Sequence, residues 1–245
     1  MYEFDSRIRY SETDPDGVLT IESLIDYFQD CSTFQTQHVG AGLDYLKERH
    51  LIWILNAWQI DIDRMPRLYE NVTVGTIPYL LKGFTGQRNF YMMGKDGSFC
   101  ARANSLWTLF DLQTMYPSRI TKEHEERYEI GEKIDMEYLG RKITLPQTEG
   151  VAGDPVIIHR HHLDSNGHVN NGQFIRIALD ATEAADIKGF DPARIKRLRA
   201  EYKKQVFIGD YLTPVIFHGQ SEEGREAVTV DLRMEDTSCC VVALS

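Results

Sequence analysis

The sequence of 245 residues has few cysteines, no long apolar run and no excess of positive charge, and each of these absences excludes a class of protein. It has only four cysteines and no CxxC pair, which excludes a disulfide-stapled scaffold and favours reduced thiols. It has no run of about 18 apolar residues, so no membrane span is predicted. Its 27 Lys and Arg stand against 37 Asp and Glu, and the formal charge of −10 excludes a surface that binds nucleic acid throughout.

The N-terminal stretch, residues 1–10, lacks the basic and then apolar order of a signal peptide. We expect it to form a first strand and the protein to be cytoplasmic. The sequence does contain 42% hydrophobic and 11% aromatic residues, enough for a large core. Its length fits one large domain or two of about 120 residues each.

An internal repeat favours two domains. Residues 13–25 align with residues 163–175, so that Asp14 matches Asp164. In each half this polar turn precedes apolar residues at helical spacing, and β-branched and aromatic runs follow. We predict an α+β fold of two tandem units, in each of which one long helix packs on a curved antiparallel sheet.

Strands and boundaries follow from the same pattern. The predicted strands are 71–76, 84–93, 98–110, 211–217, 227–234 and 239–244, with hairpin turns at 94–97 and 221–224. The predicted domains are 1–128 and 151–245, joined by a connector over 129–150. Residues 121–137 are rich in acids, which favours either a solvated connector or a short surface helix.

The second polar turn has the highest concentration of potentially catalytic side chains in the chain. Residues 164–171 combine one carboxylate, three amides and one imidazole where the second helix is predicted to begin. Asn170 as N-cap, with Gln173 three residues later, predicts a capping box. Helix initiation therefore explains part of this polarity.

Capping does not require Asp164, Asn166 or His168, which are the candidate catalytic residues. A helix N-terminus offers N–H groups and a positive dipole end, so the N–H groups of Val169 and Asn170 are expected to stabilise an oxyanion. Asp164 and His168 are both candidates for the base, and Asn166 would position water or substrate. Histidine generally titrates nearer to neutral pH, which favours His168, but position can override this.

The pattern Asp164-x-Asn166-x-His168-Val-Asn-Asn resembles the signature of acyl-ACP thioesterases, which are tandem hotdog-fold enzymes. Segments 50–54, 86–88 and 101–107 resemble the N-terminal hotdog domain of that family, so the resemblance spans essentially the whole chain. It implies hydrolysis of fatty acyl-ACP in fatty acid biosynthesis, with the chemistry in the second hotdog domain. The first would shape the acyl pocket, and we expect the two to pack as a pseudo-dimer.

One position departs from the family pattern. Plant members have a catalytic glutamate and then a cysteine where this chain has Gln205 and Val206, on a predicted strand. A cysteine nucleophile is therefore not expected, and Gln205 would hold a water instead. Glu201 is expected to lie about 13 Å along the strand, too far to substitute. We predict direct attack of water on the thioester.

Two further groups of residues are predicted to bind the substrate and its carrier. The predicted acyl-tunnel residues are Ile25, Phe28, Trp53 and Ile54. The basic residues expected to dock acidic ACP are Arg194, Lys196, Arg197, Arg199, Lys203 and Lys204. The alternative for this basic group is a strand edge that charge protects from pairing.

Two other functions stay open, namely hydrolysis of an acyl-CoA at the same site and non-catalytic binding of an acyl ligand. No cofactor and no metal are predicted, because His159, His161 and His162 lack a further ligand at the usual zinc spacing. Residues 12–17 imitate the start of a calcium loop but lack its last ligand. A nucleic-acid partner is not expected, and a homodimer is left open.

Overall fold

The computed structural model of the chain describes residues 1–187, 190–191, 194–221, 224 and 226–245. The chain divides into two units, residues 1–139 and 140–245. Each unit has one long helix and an antiparallel sheet, which confirms the predicted α+β fold. Packing of the units as a pseudo-dimer stays a prediction. No helix in the described part of the chain is long and apolar enough to cross a membrane.

The first unit builds its sheet in the order β1-β3-β4-β5-β2, with β6 paired to β5. Its described elements are β1 (Tyr2–Arg7), α1 (Ile21–His38), α2 (Leu43–Glu48), β2 (Leu51–Ile62), β3 (Asn71–Lys82), β4 (Thr85–Gly94), β5 (Phe99–Asp111), β6 (Tyr116–Pro117) and α3 (Lys122–Arg127). The long helix α1 packs on β1 and β3. It begins where the Thr20 hydroxyl accepts a hydrogen bond from the Ser23 N–H.

The core of the first unit lies between α1 and the sheet. Leu24, Ile25 and Phe28 recur at helical spacing and are fully buried. The Phe28 ring lies 5.5 Å from Phe90 of β4 and 6.2 Å from Trp58 of β2, measured between ring centroids. This aromatic cluster holds the helix against the sheet.

The second unit repeats this plan with the sheet order β9-β12-β11-β10-β7, and β8 pairs with β10. Its described elements are β7 (Val151–Ala152), β8 (Val156–Ile157), α4 (Asn171–Ala184), β9 (Arg197–Tyr202), β10 (Tyr211–Gln220), β11 (Glu226–Met234) and β12 (Thr237–Leu244). The helix α4 packs on β10, β11 and β12. Its buried face carries Phe174, Ile175 and Ala178.

The six predicted strands are confirmed as β3, β4, β5, β10, β11 and β12. The first predicted hairpin turn is confirmed as well, because the Gly94 N–H donates to the Ser98 carbonyl at 3.0 Å. Gly97 in that turn has φ 77°, which favours glycine. The second predicted turn, 221–224, includes residues 222 and 223, which lie outside the described residues.

The segment predicted as a connector is attached to both units rather than free. Its first part lies on the first sheet, where the buried Gln59 side chain donates to the Glu137 carbonyl at 2.7 Å and accepts from the Leu139 N–H at 2.9 Å. The acidic stretch of residues 121–137 contains the short helix α3. Of the two structures that its composition favours, it therefore includes the short surface helix.

The second part of this segment lies on β9. The Arg199 guanidinium donates to the Gly140 carbonyl at 2.7 Å, and the Ile143 N–H donates to Glu201 Oε2 at 3.1 Å. Glu201 is buried and also lies 3.6 Å from Arg141 and 3.9 Å from Lys203. Its carboxylate is therefore committed to holding the connector.

Replacing Glu201 with alanine is expected to lower the free energy of unfolding by about 1–3 kcal/mol, because the buried Ile143 N–H loses its acceptor. Arg141 and Lys203 are partly exposed, so water compensates for most of their loss. Urea denaturation measures the change. Glu201→Gln keeps an acceptor oxygen and should retain most of the stability, whereas wild-type stability of Glu201→Ala would contradict this role.

Candidate active site

The candidate catalytic residues lie on a tight turn in front of α4. The Asp164 N–H donates to the His168 carbonyl at 2.8 Å, and Asp164 Oδ1 accepts from the N–H groups of Asn166 (2.8 Å) and His168 (3.3 Å). Gly167 adopts φ 77° to close the turn. Asp164 therefore fixes the backbone that presents the Asn166 and His168 side chains.

The first unit contains the same turn without those two side chains. Asp14 Oδ1 accepts from the N–H groups of Asp16 and Val18, both at 2.9 Å. Gly17 has φ 72°, matching its counterpart in the second unit. The aspartate is thus a turn-forming residue in both units, and the difference in chemistry comes from Asn166 and His168, which stand where the first unit has Asp16 and Val18.

His168 is half-buried and its ring packs edge-on against Phe207, with 5.0 Å between ring centroids. No described residue forms a hydrogen bond with either ring nitrogen. The exposed Asn166 amide lies 3.5 Å from Asp164 Oδ2, at the limit of a hydrogen bond. The imidazole and the amide are therefore available to water and substrate.

The N-cap is as predicted, but the capping box with Gln173 and the oxyanion site are not. Asn170 is the N-cap of α4, and its Oδ1 accepts from the Gly172 N–H at 2.8 Å. The Val169 N–H donates to the Val206 carbonyl at 3.0 Å, and the Asn170 N–H donates to the His162 carbonyl at 2.8 Å. The prediction that Val169 and Asn170 stabilise an oxyanion is therefore wrong, because both N–H groups are already used.

Gln205 lies beside the turn but not on a strand. The strand β9 ends at Tyr202, and the N–H groups of Lys203 and Lys204 both turn to the Cys239 carbonyl. Gln205 then follows in an exposed loop, next to Val206, whose carbonyl holds the turn. The expected strand position of Gln205 is wrong, and its role as a water-binding residue stays a prediction.

Cysteine chemistry is disfavoured throughout the chain. The four cysteines are unpaired and buried. Burial raises the pKa of Cys31 to about 12 and that of Cys100 to about 11. Burial also raises the pKa values of Cys239 and Cys240. None of these thiols has the environment of a nucleophilic thiolate.

We therefore expect no cysteine to react rapidly with a disulfide reagent such as DTNB at pH 8 in the native protein. All four should react after denaturation in urea, which serves as the internal control. The release of coloured thiolate measures both. A thiol that reacts in the native state at the rate of a free cysteine would contradict this prediction.

The three histidines before the turn pack against one another. The His159 N–H donates to His162 Nδ1 at 3.0 Å, and the rings of His161 and His162 lie 4.0 Å apart. Burial, followed by the neighbouring histidines, lowers the pKa of His162. Among the described residues, no group of three or more His, Cys, Asp or Glu could hold a metal ion.

The four predicted acyl-tunnel residues do not line one common cavity in the structure. A cleft in the first unit is open to solvent and is lined by Ser32, Thr36, Trp53, Pro78, Leu81, Gln87, Arg88, Trp107 and Tyr128. Of the predicted residues, only Trp53 lines it. Ile25 and Phe28 belong to the packed core instead, and the half-buried Ile54 is not among the lining residues.

Sequence reasoning missed Arg88 as a candidate functional residue. It lies on the same face of β4 as Phe90 and Met92, which are fully buried on the side of α1. A charged residue on the apolar face of a strand is the signal that could have identified it.

The predicted docking residues are partly used within the second unit. Arg199 holds the connector, and Lys203 Nζ donates to Ser238 Oγ at 3.1 Å. Arg194 lies 3.2 Å from Asp191 but is largely exposed. Lys196 and Lys204 are exposed and Arg197 is half-buried. Residues 192 and 193, within the basic segment, lie outside the described residues.

Comparisons with known proteins agree with this arrangement. A family model for the acyl-ACP thioesterase N-terminal domain matches residues 1–128, and one for the C-terminal domain matches residues 153–242. A chloroplastic palmitoyl-acyl carrier protein thioesterase of Cuphea hookeriana is 26% identical over 191 residues, which are 71% of this chain and 45% of that protein. The chain thus spans about half the length of the curated relatives that it matches.

Solved structures share the fold over nearly the whole chain. A protein described as an oleoyl thioesterase from Lactobacillus plantarum is 25% identical, with a TM-score of 0.87, covering 99% of this chain and 94% of its own. The 12:0-ACP thioesterase from Umbellularia californica has a TM-score of 0.84 at 19% identity, covering 99% and 92%. Since the first family model alone covers more than half of the sequence, this chain belongs to the acyl-ACP thioesterase family.

Proposed function

We propose that this chain hydrolyses the thioester of a fatty acyl-ACP to a free fatty acid and ACP in fatty acid biosynthesis. One observation carries the proposal beyond family membership. The same aspartate-centred turn occurs in both units, but only the second presents an imidazole and an amide on it. Those are the groups that hydrolysis of a thioester by water requires.

In the proposed mechanism His168 is the general base. Its unprotonated ring nitrogen accepts a proton as the oxygen of a water molecule attacks the thioester carbonyl carbon. The carbon–oxygen bond to water forms, and the carbonyl oxygen gains negative charge in a tetrahedral intermediate. When that intermediate collapses, the carbon–sulfur bond breaks and the leaving thiolate takes the proton from the imidazolium. No covalent acyl-enzyme is required.

Asn166 is proposed to polarise the carbonyl. Its Nδ2 is a donor on an exposed side chain of the same turn that carries the imidazole, whereas the N–H groups at Val169 and Asn170 are already bonded. A side-chain amide that donates to the developing oxyanion typically contributes about 10²–10³ in kcat. Asp164 acts through the backbone of the turn and is a positioning residue in this scheme.

ACP docking is proposed at the exposed members of the basic segment. Charge reversal at Lys196 and Lys204 is expected to raise KM for acyl-ACP several-fold and leave kcat nearly unchanged, because rim charges chiefly affect association. Lys122→Glu on α3 is a matched control in the other unit. The KM effect should shrink at high salt. An equal KM effect on acyl-CoA would contradict docking of an acidic protein.

Hydrolysis assays with matched C8–C18 acyl-ACP and acyl-CoA panels test the proposal. Faster hydrolysis of the ACP thioesters is the expected result. A strong preference for CoA thioesters would replace the proposed substrate, and no turnover with either panel would leave an acyl-binding role. The cytoplasmic location and the homodimer stay predictions.

A further inference from the structure

The first unit holds a charged side chain that the proposed mechanism does not use. Arg88 lines the cleft of that unit, and it is the one charged residue among those that line it. Its Nη1 is inaccessible to solvent and has no hydrogen-bond partner among the described residues. No carboxylate of the described residues lies within ion-pair distance of its guanidinium. Arg88 as a whole is half-buried, but a buried donor of a cation that lacks a partner is costly to the fold.

The neighbours of Arg88 compensate little of this cost. The ring centroids of Tyr128 and Phe90 lie 5.8 and 5.9 Å from its Cζ, near the outer limit of about 6 Å for a cation–π contact. Burial lowers the pKa of Arg88, yet arginine stays protonated at neutral pH. The guanidinium therefore keeps its positive charge, and no described residue accepts a hydrogen bond from it.

Most of the rest of the cleft is apolar or already bonded, and Gln87 contributes the one further polar side chain whose donor makes no bond to a described residue. Trp53, Leu81 and Trp107 supply apolar surface, and the indole N–H of Trp107 donates to Ser105 Oγ at 2.7 Å. The hydroxyl of Thr36 donates to a carbonyl of its own helix at 2.7 Å, as that of Ser32 does at 2.8 Å. An apolar cleft with a single unpaired cation matches a ligand that has an apolar body and one anionic end.

We propose that this cleft binds the carboxylate of an acid with an apolar tail. The planar guanidinium of Arg88 would hold the two carboxylate oxygens, a geometry that arginine matches better than lysine does. Trp53 and Trp107 would cover the tail. Two sources share this chemistry, namely a free fatty acid and an acyl chain with a distal carboxylate that is still attached to its carrier. Only the second source rests on the proposed function.

Calorimetric titration of the full chain with dodecanoate, methyl dodecanoate and dodecan-1-ol tests the site without any hydrolysis. Wild type is expected to bind dodecanoate at least about tenfold more tightly than the ester or the alcohol. Arg88→Met should abolish this preference. Arg102→Met is the matched control, since Arg102 lies on the neighbouring strand β5 and is paired with Asp63 at 3.1 Å. It should keep the preference.

Equal binding of acid and ester by wild type would overturn the proposal, as would an undiminished acid preference in Arg88→Met. Circular dichroism checks that the variant folds. Arg88→Gln replaces it if Arg88→Met does not fold, and the same two outcomes then decide: loss of the preference supports the site, and an undiminished preference overturns it.

Hydrolysis of dodecanoyl-ACP and 11-carboxyundecanoyl-ACP distinguishes the two sources. A preference for the carboxylated chain that Arg88→Met abolishes assigns the tethered acyl chain as ligand. Equal rates, with preferential binding of dodecanoate intact, assign the free fatty acid. If wild type hydrolyses neither these thioesters nor any acyl-ACP of the C8–C18 panel, the proposed function fails, while the calorimetric result still decides whether the cleft binds a carboxylate.

Discussion

Replacing His168 with alanine is expected to lower kcat/KM for acyl-ACP about 10²–10⁴-fold, the usual contribution of a general base. The ring is half-buried beside Phe207, and no described residue bonds to its nitrogens. Removing it therefore removes the proton acceptor without breaking a hydrogen bond of the fold. Steady-state hydrolysis of acyl-ACP measures the effect.

The first unit supplies the matched controls for this experiment. Val18 occupies the same position in the first turn, so Val18→Ala makes a comparable truncation and should leave kcat/KM within a few-fold of wild type. His168→Val places the residue of the first turn into the second and should be as inactive as His168→Ala. Thermal unfolding of all three should stay close to wild type. Wild-type turnover by His168→Ala would remove His168 from the mechanism.

The location of the candidate site could be predicted from the sequence because its determinants are local. A turn of five residues, a glycine at positive φ and an N-cap are all encoded within a short segment, and their repetition in the first half made the segment visible. The amphipathic spacing of Phe28 and its neighbours likewise predicted the buried face of α1.

The predictions that failed depend on partners distant in sequence. The Val169 N–H is consumed by Val206, which lies 37 residues further along the chain. Gln205 leaves the strand because β9 ends at Tyr202, where the backbone turns toward Cys239. Counting along one strand cannot reveal pairings that form only when the sheet assembles. The same limit applies to Arg88, whose lack of a partner becomes apparent only with its neighbours in place.

The two turns also allow the role of Asp164 to be separated into geometry and charge. Asp164→Ala removes the acceptor of two N–H groups and is expected to lower kcat/KM at least about tenfold, because small displacements of catalytic groups can cost as much as 10². Asp164→Asn keeps an acceptor oxygen at the position of Oδ1 but removes the charge. It should stay within about threefold of wild type if Asp164 only holds the turn.

Asp14→Ala calibrates the structural part of that effect. Asp14 makes the same two bonds in the unit without an imidazole, so this variant and Asp164→Ala should lose similar stability, about 1 kcal/mol each, in urea denaturation. Only Asp164→Ala should lose activity. If Asp164→Asn instead loses 10²–10⁴ in kcat/KM while remaining as stable as wild type, the carboxylate itself takes the proton from water. His168 would then orient that carboxylate, and the order of proton transfer proposed here would be reversed.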